Sequence, residues 1–342
     1  MKLPFLNKER FLNEDTWVYT FSFIILWNLG FHILIYFPLQ ESPDIQTYLG
    51  IAQLYFDDSL VRQYRVLVPF MAFLINGSFG WLFESLKPWS FEGDFSLCFS
   101  FLMVNTLIMS FVLLYIFKLC RIFKLGFWYC VMALIAVLSS RWTAELAGLP
   151  LVDSLFVLSL VLLLLGIVNN QNTYLIASLF LGPWSKEAYI FMVPLILYFN
   201  RDQIVKWIGY LFCSGVIVFS FRFCLDWYLG RSFFQSLHED AAALFTISKS
   251  FQRVFSFHGI YELFSIVGFW IFIPFIAWYH FSKPYLIESK TTRNLFYAYL
   301  GIVFILALLS GDLGRMLYLS IPVFAVWIAI GLHKMQFAFY KS

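Results

Sequence analysis

The sequence predicts an all-α polytopic membrane protein, a single integral membrane domain over residues 1–342. It has about ten transmembrane helices and an interfacial helix in the first external loop. Three observations predict this. The chain is 61% hydrophobic and only 13% charged, against roughly 45–50% and about 25% in soluble domains. Apolar runs close to the ~20 residues needed to cross the hydrocarbon recur along its length. Basic residues gather in the connections between those runs, as the positive-inside rule requires of a cytoplasmic face.

Taken in order, Lys2, Lys8 and Arg10 precede the run Thr16–Pro38. That run is too long for a signal-peptide core and lacks a small-residue cleavage site, so it reads as an uncleaved first span. The further spans are Ser96–Phe117, Leu125–Ser140, Leu151–Val168, Ile204–Leu225, Tyr261–Tyr279, Leu295–Ser310 and Met316–Leu332. Val66–Phe83, interrupted by Pro69 and Gly77, decides the sidedness. If it crossed, Lys118, Arg121 and Lys124 would be sent outside. If it stays on the surface or re-enters, 13 of the 23 basic residues fall inside: Lys2, Lys8, Arg10, Lys118, Arg121, Lys124, Arg201, Lys206, Lys283, Lys290, Arg293, Lys334 and Lys341. The non-spanning reading places both termini in the cytoplasm.

The last two of the ten are short helices, Tyr174–Pro183 and Ala188–Phe199. Twelve helical residues rise about 18 Å, too little to cross roughly 30 Å of hydrocarbon. The turn Ser185-Lys186-Glu187 between them is therefore expected at mid-depth, where irregular backbone needs protein or a wet cavity around it. Gly182-Pro183 supplies the break. A buried Lys186–Glu187 pair at the floor of an external cavity follows.

Charged residues at membrane depth are costly and mark sites or pathways. Four groups of them begin or end apolar runs on the external side: Asp44 through Arg65, Asp153, Lys186 with Glu187, and Asp312 with Arg315. Asp44 is placed to act as a general base on an incoming hydroxyl, or simply to be solvated among headgroups. Arg65 suits bidentate phosphate recognition. Asp153 also complements the dipole of the helix it opens. Asp312 and Arg315 are spaced for a local salt bridge, although an arginine beside two glycines can stay free for an anion. A second external loop, about Asp226–Gly259, carries Arg231 and His238 and reads as a lid or as an amphipathic surface segment.

Several chemistries lack their motifs. There is no GxxxxGK[ST], HExxH, GxSxG or GxGxxG. The five histidines are scattered without metal-ligand spacing, and the five cysteines form no CxxC pair. A net charge of +3 gives no footprint for nucleic acid.

In order along the chain, Pro43-Asp44-Ile-Gln-Thr-Tyr48, Tyr64-Arg65-Val-Leu-Val-Pro69, Leu149-Pro-Leu-Val-Asp153, Ser185-Lys186-Glu187 and Asp312-Leu-Gly-Arg315 resemble elements of the GT-C superfamily of polytopic glycosyltransferases. The resemblance covers most of the chain. It implies a lipid-phosphate sugar donor of the polyprenyl-phosphate type and a glycan or lipid-linked acceptor in cell-envelope glycan synthesis. It also implies chemistry at the external or periplasmic face, lumenal in a eukaryote. On this reading Asp44 is the catalytic acid, and Tyr48, Arg65, Asp153, Lys186, Glu187, Arg231, His238, Asp312 and Arg315 line the substrate site. No cofactor is implied: the family accommodates a divalent metal, but Asp44 has no paired acid beside it. A transporter or flippase of a lipid-linked or small anionic substrate is the competing reading; it calls for a pathway to both faces and often inverted repeats.

Overall fold

The computed structural model describes residues 8–56, 62–89, 91–231, 252–280, 287, 289–310 and 312–339. His238 lies outside the described residues, as do Lys2, Lys283 and Lys341. The described residues form helices and connections, with no strand among them. The α-helices are α1 (Lys8–Tyr36), α2 (Pro43–Ala52), α3 (Leu67–Glu84), α4 (Phe95–Ile122), α5 (Phe127–Leu138), α6 (Arg141–Gly148), α7 (Asp153–Val168), α8 (Asn172–Ser185), α9 (Val193–Phe199), α10 (Ile204–Tyr228), α11 (Phe257–Val267), α12 (Phe272–His280), α13 (Lys290–Leu309), α14 (Leu313–Leu317) and α15 (Ile321–Phe339).

Seven helical stretches among the described residues are long and apolar enough to cross a membrane, or eight if the bent α5–α6 pair counts as one. This is an integral, all-α membrane protein. α4 and the α14–α15 stretch are buried along most of their length, whereas α10 presents nearly all of its surface outward. The apolar run of α7 is buried on every side, as expected of a helix that is hydrophobic all round.

α1 and α4 run antiparallel. At one end Asp15 pairs with Lys118 at 2.8 Å and Glu14 with Arg121 at 3.4 Å. Further along, Trp27 meets Phe99 edge-on with centroids 5.3 Å apart. The chain therefore leaves α1 and enters α4 at the same end of the bundle, and everything from residue 37 to 94 starts and finishes there. α3 lies within that stretch. It is one unbroken helix of 18 residues, which corrects the expectation that Pro69 and Gly77 interrupt it. Pro69 falls in the first turn, where its missing N–H has no partner to lose.

Two other runs carry breaks that the sequence does not announce. Leu125–Ser140 holds the single helix α5, and past its end the chain bends by 72° into α6. α6 docks against α1 through a contact between glycines. A Cβ on Gly148 would sit on the backbone of Gly30, the small-residue packing that lets membrane helices approach closely. The run Tyr261–Tyr279 lies within one candidate span, Phe257–Tyr279, with a local irregularity at Gly268, whose φ of 53° lies in the left-handed region, between α11 and α12.

The short pair is present. α8 contains Pro183 and ends at Ser185; Lys186 is extended, with φ −163° and ψ 137°. The return begins as a 3-10 turn over Glu187–Met192 and becomes α9 at Val193. The turn is tight because Gly182 has no side chain where the Tyr189 ring packs. The Tyr189 hydroxyl lies 2.6 Å from Ser178 Oγ, which donates to the Ser159 carbonyl on α7.

Candidate functional site: a buried ion network at one end of the bundle

α2 enters the site as a ten-residue helix with Pro43 in its first turn and Asp44 one residue later. Its buried face carries Asp44 and, one turn on, Tyr48. The 3-10 turn Arg62–Tyr64 and Arg65 close over that face. Asp153 is the first residue of α7, and α4 fixes its approach. Asn105 Nδ2 donates to the carbonyls of Leu149 at 2.8 Å and Leu151 at 3.0 Å, and Ser154 Oγ donates to Asn105 Oδ1. Those contacts satisfy the non-helical turn before α7, which would otherwise bury unpaired carbonyls.

These elements bring the sequence clusters together. Arg315 is the hub. Its Nη2 reaches Asp44 Oδ2 at 2.6 Å, its Nη1 reaches Asp153 Oδ2 at 3.2 Å, and its Nε lies 2.9 Å from Asp312 Oδ2, though not aligned to donate. Asp312 also caps α14, its Oδ1 accepting from the Arg315 backbone N–H. Lys186 Nζ donates to the other Asp153 oxygen at 2.9 Å. Arg62 holds Asp44 Oδ1 at 2.6 Å. Glu187 accepts from Arg65 at 2.8 Å and from Arg222 at 2.7 Å, and Arg65 Nη1 donates to the Tyr48 hydroxyl at 2.9 Å.

Two expectations are corrected here. Lys186 and Glu187 are not partners: the extended backbone at Lys186 turns the two side chains apart, one to Asp153 and the other to Arg65 and Arg222. Nor is Arg315 left free; three carboxylates surround it. Arg231 sits in an outer layer, donating to Gln63 Oε1 at 2.6 Å and to the Phe56 carbonyl. It is joined to the network through the 62–65 turn.

The reading also passed over Arg222. It lies inside the apolar run of α10, its guanidinium 4.4 Å from the Tyr64 ring centroid, while the Tyr64 hydroxyl donates to buried Asp226 at 2.7 Å. The signal was available, because an arginine within a membrane span is itself a functional flag.

The network has a direction. Side-chain exposure rises from 2% at Asp153 and 12% at Lys186 to 35% at Arg62 and 36% at Asp312. Asp153 and Lys186 are thus the floor, and Arg62 and Asp312 the rim. Burial pushes the Asp44 carboxyl up, but Arg315 and Arg62 outweigh it and hold the group below the usual carboxylate range. Burial pushes the Tyr48 hydroxyl up, so it stays protonated.

Five cations (Arg62, Arg65, Lys186, Arg222, Arg315) face four carboxylates (Asp44, Asp153, Glu187, Asp312), leaving one net positive charge. The donor set does not fit a divalent metal. Asp44, Asp153 and Asp312 do converge, but on a guanidinium, and no group of His, Cys, Asp and Glu among the described residues is arranged to hold an ion. What the arrangement can do is receive an anion at several preorganised cations, with a carboxylate and a phenol beside it. Comparison with protein-family models, curated proteins and solved structures finds no match for the chain.

Proposed function

We propose that the chain is a membrane glycosyltransferase of the GT-C kind, moving a sugar from a polyprenyl-phosphate donor to a glycan or lipid-linked acceptor. One observation carries the reading: Asp44, Arg65, Asp153, Lys186, Glu187 and Arg315, far apart in sequence, occupy one buried site that opens toward a rim. We take ten membrane helices besides α3, with α3 lying along the side where α1 ends and α4 begins, because one crossing by α3 alone would put those two ends on opposite faces.

The donor phosphate takes Arg315 and Arg62, with Lys186 and Arg65 below it, since arginine forks match phosphate oxygens. Arg315 and Arg62 are also the groups that hold Asp44. A phosphate that draws them away leaves Asp44 buried and less clamped, hence more basic. The acceptor oxygen then bonds to the anomeric carbon as the bond from that carbon to the phosphate oxygen breaks. The electron pair leaves with polyprenyl phosphate and the acceptor proton passes to Asp44.

The transporter reading has one feature in its favour. Every cation of the network is already paired, as in a closed gate. The test is transfer of labelled sugar from polyprenyl-phosphate hexoses and pentoses in detergent, alongside binding of polyprenyl phosphate itself. Transfer that is lost in Asp44→Asn supports the enzyme. Binding without transfer, together with movement of the lipid across a sealed vesicle, favours transport; absence of binding sinks the enzyme and the lipid transporter alike.

A further inference from the structure

Toward the N-terminal end of α13, a cavity of about 320 Å³ is surrounded by α12, α13 and α15. Its walls are almost wholly apolar and aromatic, with Phe275 and Trp278 from α12, Phe296 and Tyr297 from α13, and Phe324 and Trp327 from α15. The walls are layered, the Trp327 ring centroid lying 5.7 Å from Phe324 and 6.3 Å from Tyr297. Phe275, Trp278 and Tyr297 are more than half exposed, so the hollow opens to the outer surface of the helix bundle.

Among the described residues one charged side chain lines it, Arg293, in the first turn of α13. Lys290 precedes it by three positions and is exposed. Charge thus lies at one end of the hollow and rings along the rest, the division of an anionic lipid into headgroup and chain. Trp and Tyr beside a cation are also the residues that sit at the headgroup boundary, and arginine reaches phosphate as a planar fork while its stem stays in apolar surroundings.

From Arg293 to the end of α13 is about 24 Å of helix, and Arg315 lies beyond that end. A phosphate at Arg293 is therefore not the phosphate of the ion network, and this site stands whether or not the chain is a glycosyltransferase. We propose that the cavity is a specific site for an anionic membrane phospholipid, with an acyl chain among the aromatic rings and the headgroup phosphate on Arg293.

The test uses full-length protein in detergent, titrated with equal dioleoyl phosphatidylglycerol and dioleoyl phosphatidylcholine and read by native mass spectrometry. The first bound equivalent is expected to be phosphatidylglycerol, favoured at least tenfold. Arg293→Gln is expected to bring the two within about twofold of each other, and Arg293→Lys to keep most of the preference. Replacing Phe324 with a photoreactive benzophenone amino acid is expected to capture phosphatidylglycerol. Equal retention of both lipids by the native chain overturns the site, as does a preference unmoved by Arg293→Gln. Capture of added polyprenyl phosphate at position 324 in place of excess phosphatidylglycerol makes the hollow a channel for the donor tail and overturns it too. If Arg293→Gln fails to fold, the capture at 324 decides: phosphatidylcholine taken as readily as phosphatidylglycerol ends the proposal.

Discussion

Asp44 and Arg315 are 271 residues apart in sequence and 2.6 Å apart in the structure. The contact joins the second helix of the chain to the second last, and Asp153 completes a bridge through the same guanidinium. A local pair between neighbours on one helix would be an ordinary surface feature. Shared between three segments and buried, this arginine sets the relative position of α2, α7 and α14.

Asp44→Asn keeps the size of the side chain and one acceptor oxygen for the two arginines, but removes the base. Turnover is expected to fall by about 10²–10⁴-fold, the usual range for general-base catalysis, with polyprenyl-phosphate binding retained. Near-normal transfer by a folded Asp44→Asn protein would remove Asp44 from the chemistry. Initial rates at saturating donor check this.

Acid stability carries the same residue's signature. The folded state holds the Asp44 carboxyl below its ordinary range, so it binds a proton less readily than the unfolded chain does. Its stabilising contribution is present above about pH 4 and is lost as pH falls through the folded value. Thermal unfolding in detergent from pH 6 down to pH 2 should show a steeper acid decline for the native chain than for Asp44→Asn. Parallel curves would contradict the clamp.

Lys186→Ala and Arg222→Met separate the two halves of the network. Lys186→Ala removes one of the two cations on Asp153 and is expected to lower donor binding or turnover at least tenfold, about 1.4 kcal/mol. Arg222→Met leaves Glu187 to Arg65 alone. It is expected to cost about 1.5–3 kcal/mol, the value of a charged hydrogen bond, as a lower melting temperature. Retained stability in Arg222→Met would make its contact with Glu187 incidental.

Gly148→Leu tests the packing that carries α6. The added side chain meets the backbone of Gly30, which cannot rotate away. Overpacking costs typically 1–3 kcal/mol. The expected outcome is loss of monodisperse protein on size exclusion, with Gly77→Leu, whose Cβ meets nothing within 4 Å, as the unaffected comparison.

Much of the fold was legible because the membrane imposes length and polarity on each segment. The α8–α9 hairpin could be read from Gly182-Pro183 and two runs too short to cross. Partner choice could not be read. The division of Lys186 toward Asp153 and Glu187 toward Arg65 follows from the extended backbone at a single residue, which no spacing rule reports. Arg222 was hidden by its surroundings, since a hydropathy window averages one arginine into an apolar run. The bend between α5 and α6 escaped for the opposite reason: Ser139-Ser140 carries no proline or glycine to mark it.

The reach of Arg315 also bears on how the chain is made. Asp44 is synthesised 271 residues before its partner, and at ~5–20 residues per second that is roughly 14–54 s of translation. Asp153 likewise precedes both Lys186 and Arg315. During that interval Asp44 has Arg62 alone and Asp153 has Lys186 alone, and carboxylates without their full set of counter-charges are costly to bury. The half-made protein must therefore keep this end wet or held by the insertion machinery, and closure of the site becomes one of the last events of biogenesis. A truncation ending before α14 is expected to persist as an insertion intermediate crosslinkable to the translocon, and not as a smaller stable protein.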